Sequence, residues 1–171
     1  MKTRISLLLL FISLTVFAQS KTPTTIYLVR HAEKMTNDPA ETNPSLSSKG
    51  TDRAIELAQT LKDSPISTIY TTDTNRTWST AAPTSEYKGI DILKYDAKNL
   101  NVAATTILKE NKGKTILIIG HSNTVLETIE ALGGKRPIEN IGDLDYNNLF
   151  LLVINSDGTT TTTLTKYGAA N

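Results

Sequence analysis

The chain contains no cysteine, which excludes thiol catalysis, disulfide frameworks and thiolate zinc sites. Histidine is nearly as scarce: His31 and His121 are the only two, so any imidazole chemistry must use one or both. Neither sign of charge is in excess, with 18 basic residues against 17 acidic ones and a net charge of +1. Such a chain lacks the basic surface that nucleic acid or an anionic membrane would require, so neither is expected as a partner. Long apolar runs are absent except for Ile5 to Phe17, which follows Lys2 and Arg4 and precedes Gln19-Ser20. That run is shorter than the roughly 18 to 20 apolar residues a membrane span needs. A basic start, an apolar middle and a small residue at Ala18 form the pattern of a secretory signal peptide. Residues 1–18 are therefore expected to be removed, and the protein to be exported, either periplasmic or secreted. No cysteine is present to carry a lipid, so no stable membrane anchor is expected. Of 171 residues, 153 remain as 19–171. They suit one domain that buries its core without a structural metal.

Strand and helix signals alternate along those residues. Thr24 to Val29 forms a short apolar run rich in β-formers, and Thr115 to Ile119 is the clearest buried strand, running straight into Gly120-His121. Shorter strands are predicted at Thr68 to Thr71 and Ile90 to Lys94. Helical spacing appears in Ala54, Leu57, Ala58 and Leu61, in Leu100, Ala104, Ile107 and Leu108, and in Val125, Ile129 and Leu132. The stretch Thr74 to Ala82 reads as a helix stopped by Pro83, with Trp78 expected in the core. Leu149 to Ile154 and Thr160 to Lys166 flank Asn155-Ser156-Asp157-Gly158, a hairpin signal. The expected fold is α/β, a three-layer αβα sandwich whose sheet is mostly parallel and ends in a C-terminal antiparallel hairpin.

Each histidine lies at the C-terminal end of a predicted buried strand, the edge where open α/β sheets bind ligands. Arg30 precedes His31 and offers a planar fork of donors for phosphate or carboxylate oxygens. Arg76 follows Thr71-Thr72-Asp73-Thr74-Asn75, a turn that can present backbone N–H groups and a helix start to an anion. His121 precedes Ser122-Asn123-Thr124, a second predicted helix start. Two arginines and two helix starts are thus expected to converge on one dianion.

The segment Leu28-Val29-Arg30-His31-Ala32-Glu33-Lys34 resembles the Arg-His signature of the histidine phosphatase superfamily, the phosphoglycerate-mutase-like fold. Three further blocks resemble that family in the same order. They are Leu46-Ser47-Ser48-Lys49-Gly50 with Arg53-Ala54, Ile69-Tyr70-Thr71-Thr72 with Arg76-Thr77 and Thr80-Ala81, and Gly120-His121-Ser122-Asn123-Thr124. The resemblance implies that His31 attacks phosphorus and becomes a phosphohistidine that water hydrolyses, while Arg30, Arg76 and a cationic His121 stabilise the transferring group. It implies no metal and no cofactor, and a small phosphorylated substrate or a phosphoprotein as partner. Glu33, Ser122 and Asn123 are candidate substrate-binding residues.

The sequence departs from the family in one respect. The aspartate that follows the second histidine in its acid phosphatases and phytases is replaced by Ser122, and the glutamate motif of the mutases is missing after Pro83. Asp96 is the first candidate for the proton donor, with Glu33 and Asp145 behind it. A chain without a donor would be a phosphate- or phospholigand-binding protein with little turnover, which is the alternative reading. The short connection from Arg76 to His121 leaves little room for a cap, so an open mouth is expected.

Overall fold

A computed structural model describes residues 22–170. The expected signal peptide lies outside the described residues. Among the described residues, no helix is long and apolar enough to cross a membrane. The elements are β1 (Thr24–Arg30), α1 (Ser48–Thr60), β2 (Ile66–Thr71), α2 (Asn75–Lys88), β3 (Ile92–Lys94), α3 (Leu100–Glu110), β4 (Thr115–Gly120), α4 (Val125–Ala131), β5 (Asn148–Ile154) and β6 (Thr160–Lys166).

The six strands form one sheet in the order β3-β2-β4-β1-β5-β6. The first four strands of the chain run parallel to one another, and β5 and β6 add an antiparallel hairpin beside β1. This is the expected mixed α/β sheet. Strands β1 and β4 sit at its centre because their apolar runs can be covered on both faces. Ile26 and Leu28 of β1 join Ile116 and Ile118 of β4 against Ala104 and Ile107 of α3 and Ile129 of α4. Val29, Leu117 and Ile119 point the other way, against Leu57 of α1 and Ala81 of α2. Each fully buried side chain of this size contributes about 1.5 to 3 kcal/mol, so these two strands anchor the domain.

Helix α2 departs from its expected boundary. It passes through Pro83 and ends at Gly89, whose φ of 64° supplies a left-handed cap. Pro83 forfeits a single backbone bond, whereas the buried face of Thr77, Thr80, Ala81 and Thr84 holds both halves of the helix on the sheet. The extra turn uses up Ile90, whose N–H bonds the Ser85 carbonyl, so β3 starts at Ile92 instead of Ile90. Trp78 is not in the core: it lies on the outer face of α2 and is 43% exposed.

The register of the central strands places the two histidines side by side. Arg30 is paired with Gly120, and the His31 N–H continues the ladder to the Gly120 carbonyl at 2.9 Å. Strand β4 enters the sheet between β1 and β2, so the chain direction reverses beside β1. A crevice at the carboxyl ends of β1, β4 and β2 follows from that reversal.

Candidate active site

His31 stands just beyond β1, 4% exposed, with its Nδ1 at 2.8 Å from the Ala32 carbonyl. A carbonyl only accepts, so Nδ1 carries the proton and Nε2 keeps its lone pair. The loop that follows is fastened twice. The Ala32 N–H donates to Thr80 Oγ1 at 2.9 Å, and Ser47, the N-cap of α1, donates its N–H to the Glu33 carbonyl at 2.9 Å. Helix α1 comes so close here that a Cβ on Gly50 would collide with the Glu33 backbone.

His121 begins the turn after β4. Arg76, on the first turn of α2, approaches its Nδ1 at 3.4 Å, and Thr72 Oγ1 lies 2.8 Å from its Nε2. A guanidinium only donates, so Nδ1 accepts and Nε2–H donates to Thr72. Thr72 in turn contacts Thr77 Oγ1 at 3.2 Å, and Thr77 donates to the Thr72 carbonyl at 2.9 Å, which fixes the hydroxyl that orients the ring. The two imidazoles meet edge to face with centroids 5.3 Å apart.

Arg30 is 6% exposed and is oriented by the loop between α4 and β5. Its Nη1 donates to the carbonyls of Gly142 and Asp143, each at 2.9 Å, and its guanidinium carbon lies 4.1 Å from the centre of the Tyr146 ring. Arg30 Nε is buried with no protein partner, a donor that a bound anion could satisfy.

Burial, with the charges of His121, Arg76 and Arg30 behind it, pushes the His31 imidazole down to about 3 despite the opposing bond to Ala32. Burial followed by the charges of Arg76 and Arg30 pushes His121 down to about 4. Arg76 is itself lowered by burial and by Arg30. The expected cationic His121 is thus corrected: in the unliganded site both imidazoles are neutral, because burial, with two guanidinium charges behind it, disfavours a second proton. A phosphate dianion would reverse that field and favour the proton on His121.

The remaining candidates are placed differently. Glu33 is not at the pocket mouth. Arg53 Nε bonds both of its carboxylate oxygens at 3.0 and 2.9 Å, and Arg53 Nη2 adds a third bond at 2.8 Å. Both side chains are buried, and the pair ties α1 to the loop after His31, so Glu33 is a structural residue and not a substrate ligand or an acid. Asp96 borders the same groove as His121, yet its carboxylate caps a surface turn through Lys98 N and Asn99 Nδ2. Those bonds favour the ionised form, which counts against Asp96 as proton donor. Asp145 accepts from the Gly142 N–H at 3.1 Å and shapes the loop that holds Arg30. Ser122 is half-buried and Asn123 exposed in the turn after His121, and the residue that caps α4 is Thr124. Thr72 and Arg53 stand in the blocks quoted from the sequence without a role assigned to them there, and Tyr146 is the site residue that sequence reading missed.

The histidine phosphatase superfamily (branch 1) model matches residues 26–98, which include Arg30, His31 and Arg76. Residues 26–98 thus bear the histidine phosphatase superfamily pattern that the sequence resembles. No curated protein matches the chain in sequence. Solved structures share its fold. A mycobacterial glucosyl-3-phosphoglycerate phosphatase superposes with a TM-score of 0.67 at 12% identity, over 86% of this chain and 100% of that one. YhfR of Bacillus stearothermophilus gives 0.66 at 18% identity, over 82% and 96%. The protein histidine phosphatase SixA, solved with tungstate, gives 0.66 at 14% identity, over 83% and 96%.

Proposed function

We propose that this protein is an exported, metal-independent phosphatase that hydrolyses phosphate monoesters through a phosphohistidine on His31. The observation that carries the reading is the bond from His31 Nδ1 to the Ala32 carbonyl, which leaves Nε2 unprotonated beside Arg30, Arg76 and His121. Nε2 attacks phosphorus in line, the P–N bond forms as the bond to the leaving oxygen breaks, and water then cleaves the P–N bond. Charge on the equatorial oxygens is met by Arg30, Arg76 and a His121 protonated in the complex, groups that can do the electrostatic work of a metal ion. The fold is shared with a glucosyl-3-phosphoglycerate phosphatase and with a protein histidine phosphatase, both consistent with a small phosphorylated substrate or a phosphoprotein. Export rests on the pattern of residues 1–18.

The test is hydrolysis of p-nitrophenyl phosphate in EDTA. Wild type is expected to turn over and to form an acid-labile phosphohistidine, and His31→Ala to lose at least about a thousandfold in kcat/KM. Undiminished hydrolysis by that variant would remove His31 as nucleophile. A second reading, a phosphate-binding protein with little turnover, is favoured by one observation: Glu33, Asp96 and Asp145 are each engaged in structural bonds. A melting temperature raised by phosphate, without any phosphohistidine, would establish that reading instead.

A further inference from the structure

We infer that the leaving group of the substrate lies in a groove running from His121 past Tyr95 to helix α3, and that it is uncharged, elongated and apolar at its far end. This rests on the phosphatase reading. The groove has two cells. The inner one, about 560 Å³, adjoins the site itself through Thr72 and His121. The outer one, about 480 Å³, lies between β2 and α3, against Tyr70, Val102, Ala103 and Ile107. Lys94, Tyr95 and Asp96 border both cells, so the two form one path leading away from the imidazole that faces the phosphate.

Charge in the inner cell determines what it accepts. Lys94 pairs with Asp73 at 2.8 Å, and the Asp96 carboxylate accepts from the Lys98 N–H and from Asn99 Nδ2, with the Lys98 ammonium also bordering the cell. Two cations and two anions therefore balance, in contrast to the crevice around His31, where the charges of Arg30 and Arg76 both act on the two imidazoles. A second phosphate or a carboxylate on the substrate would meet the Asp73 and Asp96 carboxylates in that cell and find no net positive field. An uncharged segment meets no such opposition. Beyond Tyr95 the wall turns apolar, and Val102, which is 68% exposed, presents apolar surface that a ligand would remove from water. Each methylene covered there adds up to about 0.8 kcal/mol, roughly a fourfold gain in affinity.

The experiment measures binding of methyl-, butyl- and octylphosphonate by calorimetry, a readout that does not depend on turnover. Butylphosphonate, confined to the inner cell, should bind within about threefold of methylphosphonate, and octylphosphonate at least about tenfold tighter than butylphosphonate. Val102→Asp, at an exposed position where folding is safe, and Ala103→Trp, which fills the outer cell, should each bring the octyl-to-butyl ratio toward one. An octylphosphonate bearing a terminal carboxylate should lose the gain. Equal affinity for butyl- and octylphosphonate in wild type, a ratio that survives both substitutions, or tighter binding of the carboxylated ligand would each overturn the inference. Failure of the phosphatase reading looks different: normal phosphonate binding with no phosphate released from any ester.

Discussion

Burial, aided by the charges of Arg76 and Arg30, holds His31 and His121 without their second protons, and this has a thermodynamic signature. Both folded-state values, about 3 and about 4, lie below the ordinary value of 6.5. The unfolded chain therefore binds more protons between pH 6.5 and 4, so the stability these residues support is complete above pH 6.5 and drains away as the pH falls. The slope is at most about 1.4 kcal/mol per pH unit for each histidine. Melting curves from pH 7 to 4.5 should show a steeper loss for wild type than for His31→Asn, and parallel curves would mean that His31 is not kept neutral. Saturating phosphate should flatten the wild-type curve, since a dianion between Arg30 and Arg76 favours the proton on His121. At this scale the chemistry-bearing residues were legible because Arg30, His31 and His121 end strongly patterned strands. Their supports were not, since Tyr146, Thr72 and Arg53 lie 116, 49 and 20 residues from the partners they serve.

Among the elements, α1 carries the sharpest test, because the glycine in its first turn inverts the usual rule. Glycine to alanine inside a helix ordinarily gains up to about 1 kcal/mol. Gly50 instead lies against the Glu33 backbone, and a methyl group there must push the loop after His31 away from α1. Gly50→Ala is expected to lower stability by about 1 to 3 kcal/mol and to cut kcat/KM, as read by thermal melting and phosphate release. A stabilised variant would show that α1 does not press on that loop. Elements with a continuous apolar run or a clear terminal glycine, such as β4 and α3, could be placed from sequence within a residue or two. Helix α2 could not, because proline marks a local cost while its continuation is decided by threonines buried against the sheet.

Over the whole molecule, the αβα order was legible from the alternation of patterns, whereas the contacts that close the domain were not. The end of the chain returns to α1: Arg53 Nη1 donates to the Ala169 carbonyl at 3.0 Å, and Glu56 accepts from the Ala169 N–H at 3.0 Å. Arg53 is the same residue that grips Glu33, so the C-terminal tail braces the loop after His31 through one buried guanidinium. Removing residues 168–171 is expected to cost about 1 to 2 kcal/mol, a drop of roughly 2 to 8 °C in melting temperature, and to reduce turnover more than phosphate binding. Unchanged melting and turnover would leave the tail without a role.

The pairing of Arg30 with Gly120, and its grip on the carbonyls of Gly142 and Asp143, also sets an order of events during synthesis. His31 is among the first residues of the described domain to emerge, yet the neighbours that complete its surroundings, Gly120, His121 and Tyr146, exist only once residues 120 to 146 have followed. A nascent chain carries the histidine before its pocket is complete. On the proposed function, phosphate chemistry begins only when the whole domain has been made.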